Sequence, residues 1–201
     1  MPSIPFNDAL PRFADVSHWQ PVQDFALYAD SVGGRALGFK INQGTKVDFT
    51  AHAHLAGAKA HGLVAIGFSY GAGSVETFLA EFPPAPGRIP VLDFEGDITV
   101  SAAQAWIAAV HAAYGRYPWF YGRSVWNDRG APKGTLIEKC PYWGPQYGPR
   151  LDVPEGVGTP IAFQYTDGKD GPEPHSVPGI GACDLNMLLC SPAELRMLAG
   201  L

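Results

Sequence analysis

Cysteine is scarce in this chain: three in 201 residues, at Cys140, Cys183 and Cys190. The number is odd and the spacing fits no metal-ligand pattern, which favours free buried thiols over a Cys183–Cys190 pair. Long apolar runs are absent, so no segment is suited to membrane insertion. Clusters of Lys and Arg are absent too, and the net charge is −5 with a pI near 5.6. Nucleic acid and anionic membrane surfaces are thereby poor partners. The six histidines (His18, His52, His54, His61, His111, His175) form no H-E-x-x-H or comparable ligand pattern, so neither a metal nor another cofactor is expected. His52 and His54 read as members of a solvated helix. Gly122-Arg123-Ser124 is not the G-x-S-x-G of a nucleophile elbow. Asp167, Asp170 and Glu173 share a Gly/Pro-rich loop that reads as a solvated turn rather than a calcium site. There is no repeat, no low-complexity tract and no linker, so residues 1–201 are expected to be a single domain and a monomer.

What the chain has instead is glycine and proline, 24 and 19 residues, about a fifth of the total and well above ordinary usage. That predicts many turns. Strand-like and helix-like stretches alternate through the first two thirds. Strands are expected at Arg12–Val16, Ala36–Asn42, Leu63–Tyr70, Arg88–Glu95 and Pro118–Tyr121. Helices are expected at Val22–Val32, Phe49–His61, Val75–Glu81 and Ser101–Tyr114, the last with Ser101 as N-cap and Gln104 closing a capping box. After Gly130 helix-length periodicity vanishes, and Pro141–Tyr147, Ile161–Thr166 and Asp184–Met187 read as short strands joined by loops. Ser191-Pro192-Ala193-Glu194 opens a terminal helix, with proline at its first position. Alternating units predict a parallel sheet, and eight strands suggest closure. The expected fold is α/β: an irregular TIM-like β/α barrel with about eight strands and few helices in the last third, shorter than the usual eightfold barrel.

Val91-Leu92-Asp93-Phe94-Glu95-Gly96 is the most informative segment. It places two carboxylates two residues apart at the end of an apolar strand. Side chains alternate along a strand, so Asp93 and Glu95 are expected on one side. Neighbouring acids resist ionising together, and one pKa rises. Such a pair suits a reaction that needs a proton donor beside a charge stabiliser, as glycoside hydrolysis does. Other strand ends carry Asp15, Asn42, Gln43, Ser69, Tyr70, Tyr121, Trp143, Gln146, Tyr147, Gln164, Tyr165, Asp184 and Asn186. In a barrel these converge on one mouth, at the carboxyl ends of the strands.

Five segments in order resemble glycoside hydrolase family 25 lysozymes. Ala14-Asp15-Val16-Ser17-His18-Trp19-Gln20 is similar to the family's D-V-S-x-x-Q opening, and Leu92-Asp93-Phe94-Glu95 to its D-x-E. Trp143-Gly144-Pro145-Gln146-Tyr147, Phe163-Gln164-Tyr165-Thr166 and Asp184-Leu185-Asn186 resemble its W-x-x-x-Y, W-Q-Y and D-x-N signatures. The resemblance runs from about Phe13 to Leu188. It implies an irregular β/α barrel and N-acetylmuramidase activity on peptidoglycan glycan strands. The bond cut would be the β-1,4 link between N-acetylmuramic acid and N-acetylglucosamine. By the same resemblance, Glu95 would be the general acid. Asp93 would be its partner, either attacking directly or orienting the substrate's own acetamido group. Asp15 and Asp184 would hold the sugar and tune the pair, and Tyr70, Tyr121, Trp143, Gln146 and Gln164 would supply substrate contacts.

The chain departs from the family where Gln43 replaces an acid, Phe68 a tyrosine and Phe163 a tryptophan. Tyr70, two residues beyond Phe68 on the same strand face, offers the missing hydroxyl. Two alternatives stay open: a glycan-binding barrel that has lost catalysis, and a glycosidase acting on a chitin-like polymer. Residues Met1 to Phe13 do not read as a secretory signal. With no wall-binding module either, the chain is similar to a phage-type endolysin, made in the cytoplasm and acting on the cell wall after release.

Overall fold

A computed structural model describes residues 2–32, 35–123 and 133–201. Met1, Ser124 and Gly130, named above, lie outside the described residues. The described chain builds a closed barrel of eight strands: β2 (Arg12–Val16), β3 (Ala36–Gln43), β5 (Val64–Tyr70), β6 (Arg88–Asp93), β7 (Trp119–Tyr121), β8 (Tyr142–Pro145), β10 (Pro160–Thr166) and β13 (Asp184–Leu188). Their spatial order is β2-β13-β10-β8-β7-β6-β5-β3, and pairing of β2 with β3 closes the ring. Short strands lie outside it: β1 (Ser3–Pro5) pairs with β9 (Arg150–Asp152), β4 (Lys46–Val47) extends β3, and β11 (Ser176–Val177) pairs with β12 (Gly181–Ala182).

Helices α1 (Phe25–Ser31), α2 (Ala51–Ala60), α3 (Val75–Glu81) and α4 (Val100–Tyr114) follow β2, β4, β5 and β6, and α5 (Pro192–Leu198) ends the chain. Between β7 and β8 the described residues hold one 3₁₀ turn, Leu136–Lys139. The expected thinning of helices in the last third is observed. One expectation fails: the sheet is mixed, because β13 runs antiparallel to both β10 and β2. No helix separates β10 from β13, so the chain returns down the barrel instead of crossing over.

Strand periodicity of two sorts each strand's residues between two cores. One face, including Val16, Leu37, Phe39, Ile41, Leu92 and Phe120, packs beneath the helices. The other, including Phe13, Ala36, Val64, Ile66, Ile89, Val91, Trp119 and Leu188, fills the barrel, with Leu195 and Ala199 of α5 packed against it from below. Tyr28 of α1 locks the β2–β3 junction: its hydroxyl donates to the Ala36 carbonyl at 2.6 Å and accepts from the Ala14 N–H at 2.9 Å.

Two local expectations are corrected. The N-cap of α4 is Thr99, whose Oγ1 accepts from Ala102 N at 3.1 Å. Ser101 lies inside the first turn, and Gln104 instead accepts from the N–H of Leu136. His52 is exposed and pairs with Glu81, whereas His54 is buried, and burial pushes its pKa down to about 4. The terminal helix carries the full capping box of Ser191 and Glu194. Cys140, Cys183 and Cys190 are free thiols.

Candidate active site

The register of the parallel strands writes the mouth of the barrel. Tyr70 is aligned with Asp93, Asp93 with Tyr121, and Tyr121 with Trp143, so one layer of side chains crosses four strands. On the far side Asp15 of β2 is aligned with Asp184 of β13. Because β13 is antiparallel, Asp184 reaches the mouth from the start of its strand, not from its end. Asp15 is also aligned with Gly38 of β3, where a Cβ would stand 2.7 Å from the Cβ of Asp15. Glycine there lets β3 close against the acid.

A cavity of about 100 Å³ is lined by Asp15, Phe68, Asp93, Glu95, Tyr121, Trp143 and Asp184. β6 ends at Asp93, and Glu95 stands just beyond it, so the two acids share the cavity from strand end and exit turn. All four carboxyl groups are shifted upward. Burial lifts Asp15 to about 6 against hydrogen bonds from Asn186 and Gln164. Burial, then repulsion from Asp15, Asp167 and Glu95, lifts Asp184 to about 8. Asp93 is raised by burial and by Glu95 and Asp15, with Lys40 opposing. Glu95 is raised by burial and by Asp15. The cause is common: like charges crowded where water is scarce.

A hydrogen-bonded belt holds Asp15. Asn186 Nδ2 donates to Asp15 Oδ2 at 2.7 Å, and Gln164 Nε2 donates to the same oxygen at 3.0 Å. Behind them the Trp143 indole N–H donates to Asn186 Oδ1 at 2.6 Å, and the Tyr121 hydroxyl donates to Gln164 Oε1 at 2.7 Å. Tyr121 and Trp143 meet edge to face, ring centroids 5.0 Å apart. By contrast Asp93 Oδ1 is buried without a hydrogen-bond partner. A buried carboxyl oxygen left without a partner is costly, and its place in a residue that lines the cavity calls for a functional explanation.

The sequence-derived residues therefore divide. Asp15, Asp93, Glu95, Asp184, Tyr121 and Trp143 line the cavity. Gln164 is buried behind it as the link between Tyr121 and Asp15. Tyr70 lines an adjoining cleft. Gln146 is engaged elsewhere: its amide donates to Asp152 Oδ2 and accepts the Asp152 N–H, tying down β9. Asn186 was legible as part of D-L-N. Lys40, His18, Trp19 and Asp48 were not singled out, although His18 and Trp19 lie within the opening motif. Lys40 Nζ is 3.4 Å from the buried carboxylate of Asp48, which also accepts from His18 and Thr50.

Among the described residues no group of three or more His, Cys, Asp or Glu is arranged to hold a metal ion. The Asp167 loop is a turn closed on itself, with Asp167 Oδ1 accepting from the N–H groups of Lys169 and Asp170.

No model of a protein family matches the chain, and no curated protein does. Solved structures do. A bacterial lysozyme from Streptomyces coelicolor superposes with a TM-score of 0.78 at 22% identity, over 96% of this chain and 98% of that one. A family 25 lysozyme from Aspergillus fumigatus gives 0.71 at 21% identity, over 98% and 99%. The catalytic domain of an endolysin from bacteriophage P40 of Listeria monocytogenes gives 0.66 at 19% identity, over 98% and 100%. At such identities the shared property is architecture: this chain has the barrel fold of the glycoside hydrolase family 25 lysozymes.

Proposed function

We propose that this protein is a peptidoglycan hydrolase, a muramidase cleaving the β-1,4 bond between N-acetylmuramic acid and N-acetylglucosamine. The observation that carries the reading is the cavity at the barrel mouth, where Asp93 and Glu95 stand together with Asp15 and Asp184. The fold shared with lysozymes and an endolysin catalytic domain supports it.

In this reading Glu95 is the general acid. Burial and Asp15 raise its pKa, which favours the protonated form, and that proton passes to the glycosidic oxygen as the bond to the anomeric carbon breaks. Asp93, which lines the cavity and whose Oδ1 has no hydrogen-bond partner, supports the positive charge that develops at that carbon. Water then adds to that carbon, giving up a proton that restores Glu95, and leaves a new reducing end on muramic acid. Asp15, held by Asn186 and Gln164, keeps its charge in place to sustain the raised pKa of Glu95.

The test is release of reducing ends from purified peptidoglycan by wild type and by Glu95→Gln. That change keeps shape and removes the transferable proton. Wild type should generate muramic acid ends, and the variant should be slower by about 10²–10⁴-fold, the usual worth of general acid catalysis. A variant that cuts as fast as wild type would remove Glu95 from this role. A wild type that cuts no wall type would overturn the activity.

A further inference from the structure

Beside the acid-lined cavity is a second, larger cleft of about 350 Å³. Asp15, Phe68 and Asp184 line both, so the two adjoin. The cleft adds Val16, Ser17, Trp19, Gln20, Lys40, Gln43 and Tyr70. Three of these set its chemistry. Trp19 is 78% exposed, an aromatic face of the kind that packs on sugar rings and small alkyl groups. Gln43 brings an amide where an acid would repel an anion. Lys40 is the one cation lining either space among the described residues.

Lys40 is built in rather than draped on the surface. Its side chain is only 12% exposed, on a barrel strand, with Asp48 3.4 Å behind the ammonium. Asp48 is fixed in turn by Thr50 through N–H and hydroxyl and by the His18 ring at 2.7 Å. An ammonium has three donors, and one anchor leaves others to turn toward a ligand. The group that suits them is a carbonyl or carboxylate on a short branch, with an apolar part for Trp19.

Resting on the muramidase reading, we propose that this cleft receives the 3-O-lactyl branch of N-acetylmuramic acid and the stem attached to it, with Lys40 as the specificity-determining residue. That branch carries one methyl group and one carbonyl or carboxylate. It is what distinguishes peptidoglycan from chitin, whose sugars have a bare hydroxyl at the same carbon. Lys40 also faces a rival role, simple neutralisation of the four acids, since its charge opposes the upward shift of Asp93. The two roles differ in one respect: neutralisation is indifferent to the substrate's branch.

The experiment measures equilibrium binding in a Glu95→Gln background, where turnover does not interfere. The probes are chitotetraose and the alternating N-acetylglucosamine–N-acetylmuramic acid tetrasaccharide. The parent should bind the muramyl probe at least tenfold more tightly. Adding Lys40→Met should weaken the muramyl probe about tenfold and leave chitotetraose unchanged. Trp19→Ala, an exposed change that leaves the Asp48 anchor intact, should also weaken the muramyl probe. Equal weakening of both probes by Lys40→Met, or none, would overturn the assignment, as would a parent that does not discriminate. The muramidase reading stands apart from these outcomes, because wild-type cleavage of peptidoglycan is scored separately.

Discussion

The interior of the barrel is two regions on the same strands, and they obey opposite rules. The lower half is filled by Val64, Ile66, Ile89, Val91, Trp119 and Leu188 and stoppered by Leu195 and Ala199. The upper half carries Asp15, Asp93, Asn186 and Gln164, all buried, and the half-buried Asp184. Every inward position in either half is set by the same period of two. What changes is the cost of burial: apolar side chains gain by leaving water, and carboxylates lose. The floor thus contributes stability that the mouth partly consumes. The mouth keeps its acids where packing alone would not choose them, as expected of a site whose chemistry needs raised pKa values.

Replacing an acid at the mouth should therefore separate function from stability. Asp93→Asn keeps the shape and removes the group that is raised by burial, Glu95 and Asp15. Peptidoglycan cleavage should fall by about 10²–10⁴-fold, the scale of losing a group that acts on the reacting atoms. The melting temperature at neutral pH should rise by a few degrees, because a buried carboxyl crowded by Glu95 and Asp15 gives way to a neutral amide. A parallel loss of activity and stability would show that the mouth is not under the opposition described here.

The floor should give the mirror image. Leu195 is 1% exposed and belongs to the cluster that fills the barrel. Leu195→Ala removes buried methyl groups and leaves a cavity, a loss of about 3 kcal/mol. In a chain of this size each kcal/mol is worth roughly 2–4 °C of melting temperature. Activity at temperatures where the variant stays folded should match wild type within about twofold, since α5 lies at the opposite end from the acids. A large change in kcat at low temperature would mean that the floor and the mouth are mechanically linked.

How far the sequence revealed these regions follows from the range of the signal. The α4 and α5 patterns, the strand at Ala36–Asn42 and the D-x-E pair are local, and all were legible from nearby residues. Strand direction is not local. Nothing in Asp184-Leu185-Asn186-Met187-Leu188 states that β13 runs against its neighbours, and that reversal is what puts Asp184 at the mouth. Pairing of Ser3–Pro5 with Arg150–Asp152 was invisible for the same reason. His54 was misplaced because α2 is Ala-rich, and its buried face is set by Phe25 and Phe39 from other elements. Thr99 and Ser101 are equally good cap residues by type. Geometry chose Thr99, whose extended backbone aims its hydroxyl at Ala102. Within the candidate site the acids were legible as motif letters, while the cleft beside them was not, because Lys40 acquires meaning only through Asp48.

The smallest expected effect lies in the pH dependence of stability, and it contrasts the mouth with the shell. Asp15, near 6, and Asp184, near 8, are raised above the ordinary 3.8. A raised acid holds more protons folded than unfolded, so its stabilising contribution is complete below about pH 4 and disappears as pH climbs through 6 and then 8. Asp48, outside the barrel, is lowered to about 2 by its hydrogen bonds from Thr50 and His18, despite burial. Its contribution is present above about pH 4 and disappears only as pH falls through 2. Between pH 5 and 8, then, Asp48 is silent; buried His54, lowered to about 4 from 6.5, adds stability as pH rises to about 6.5, and above that the mouth should make the protein less stable with rising pH, by a few degrees of melting temperature. Asp184→Asn should flatten that slope, chiefly above pH 6, and Asp48→Asn should lower the whole curve without changing its slope. Melting curves of the three proteins at half-unit steps decide the matter. If the slope survives Asp184→Asn unchanged, the raised pKa of Asp184 is not what makes the mouth lose stability with rising pH.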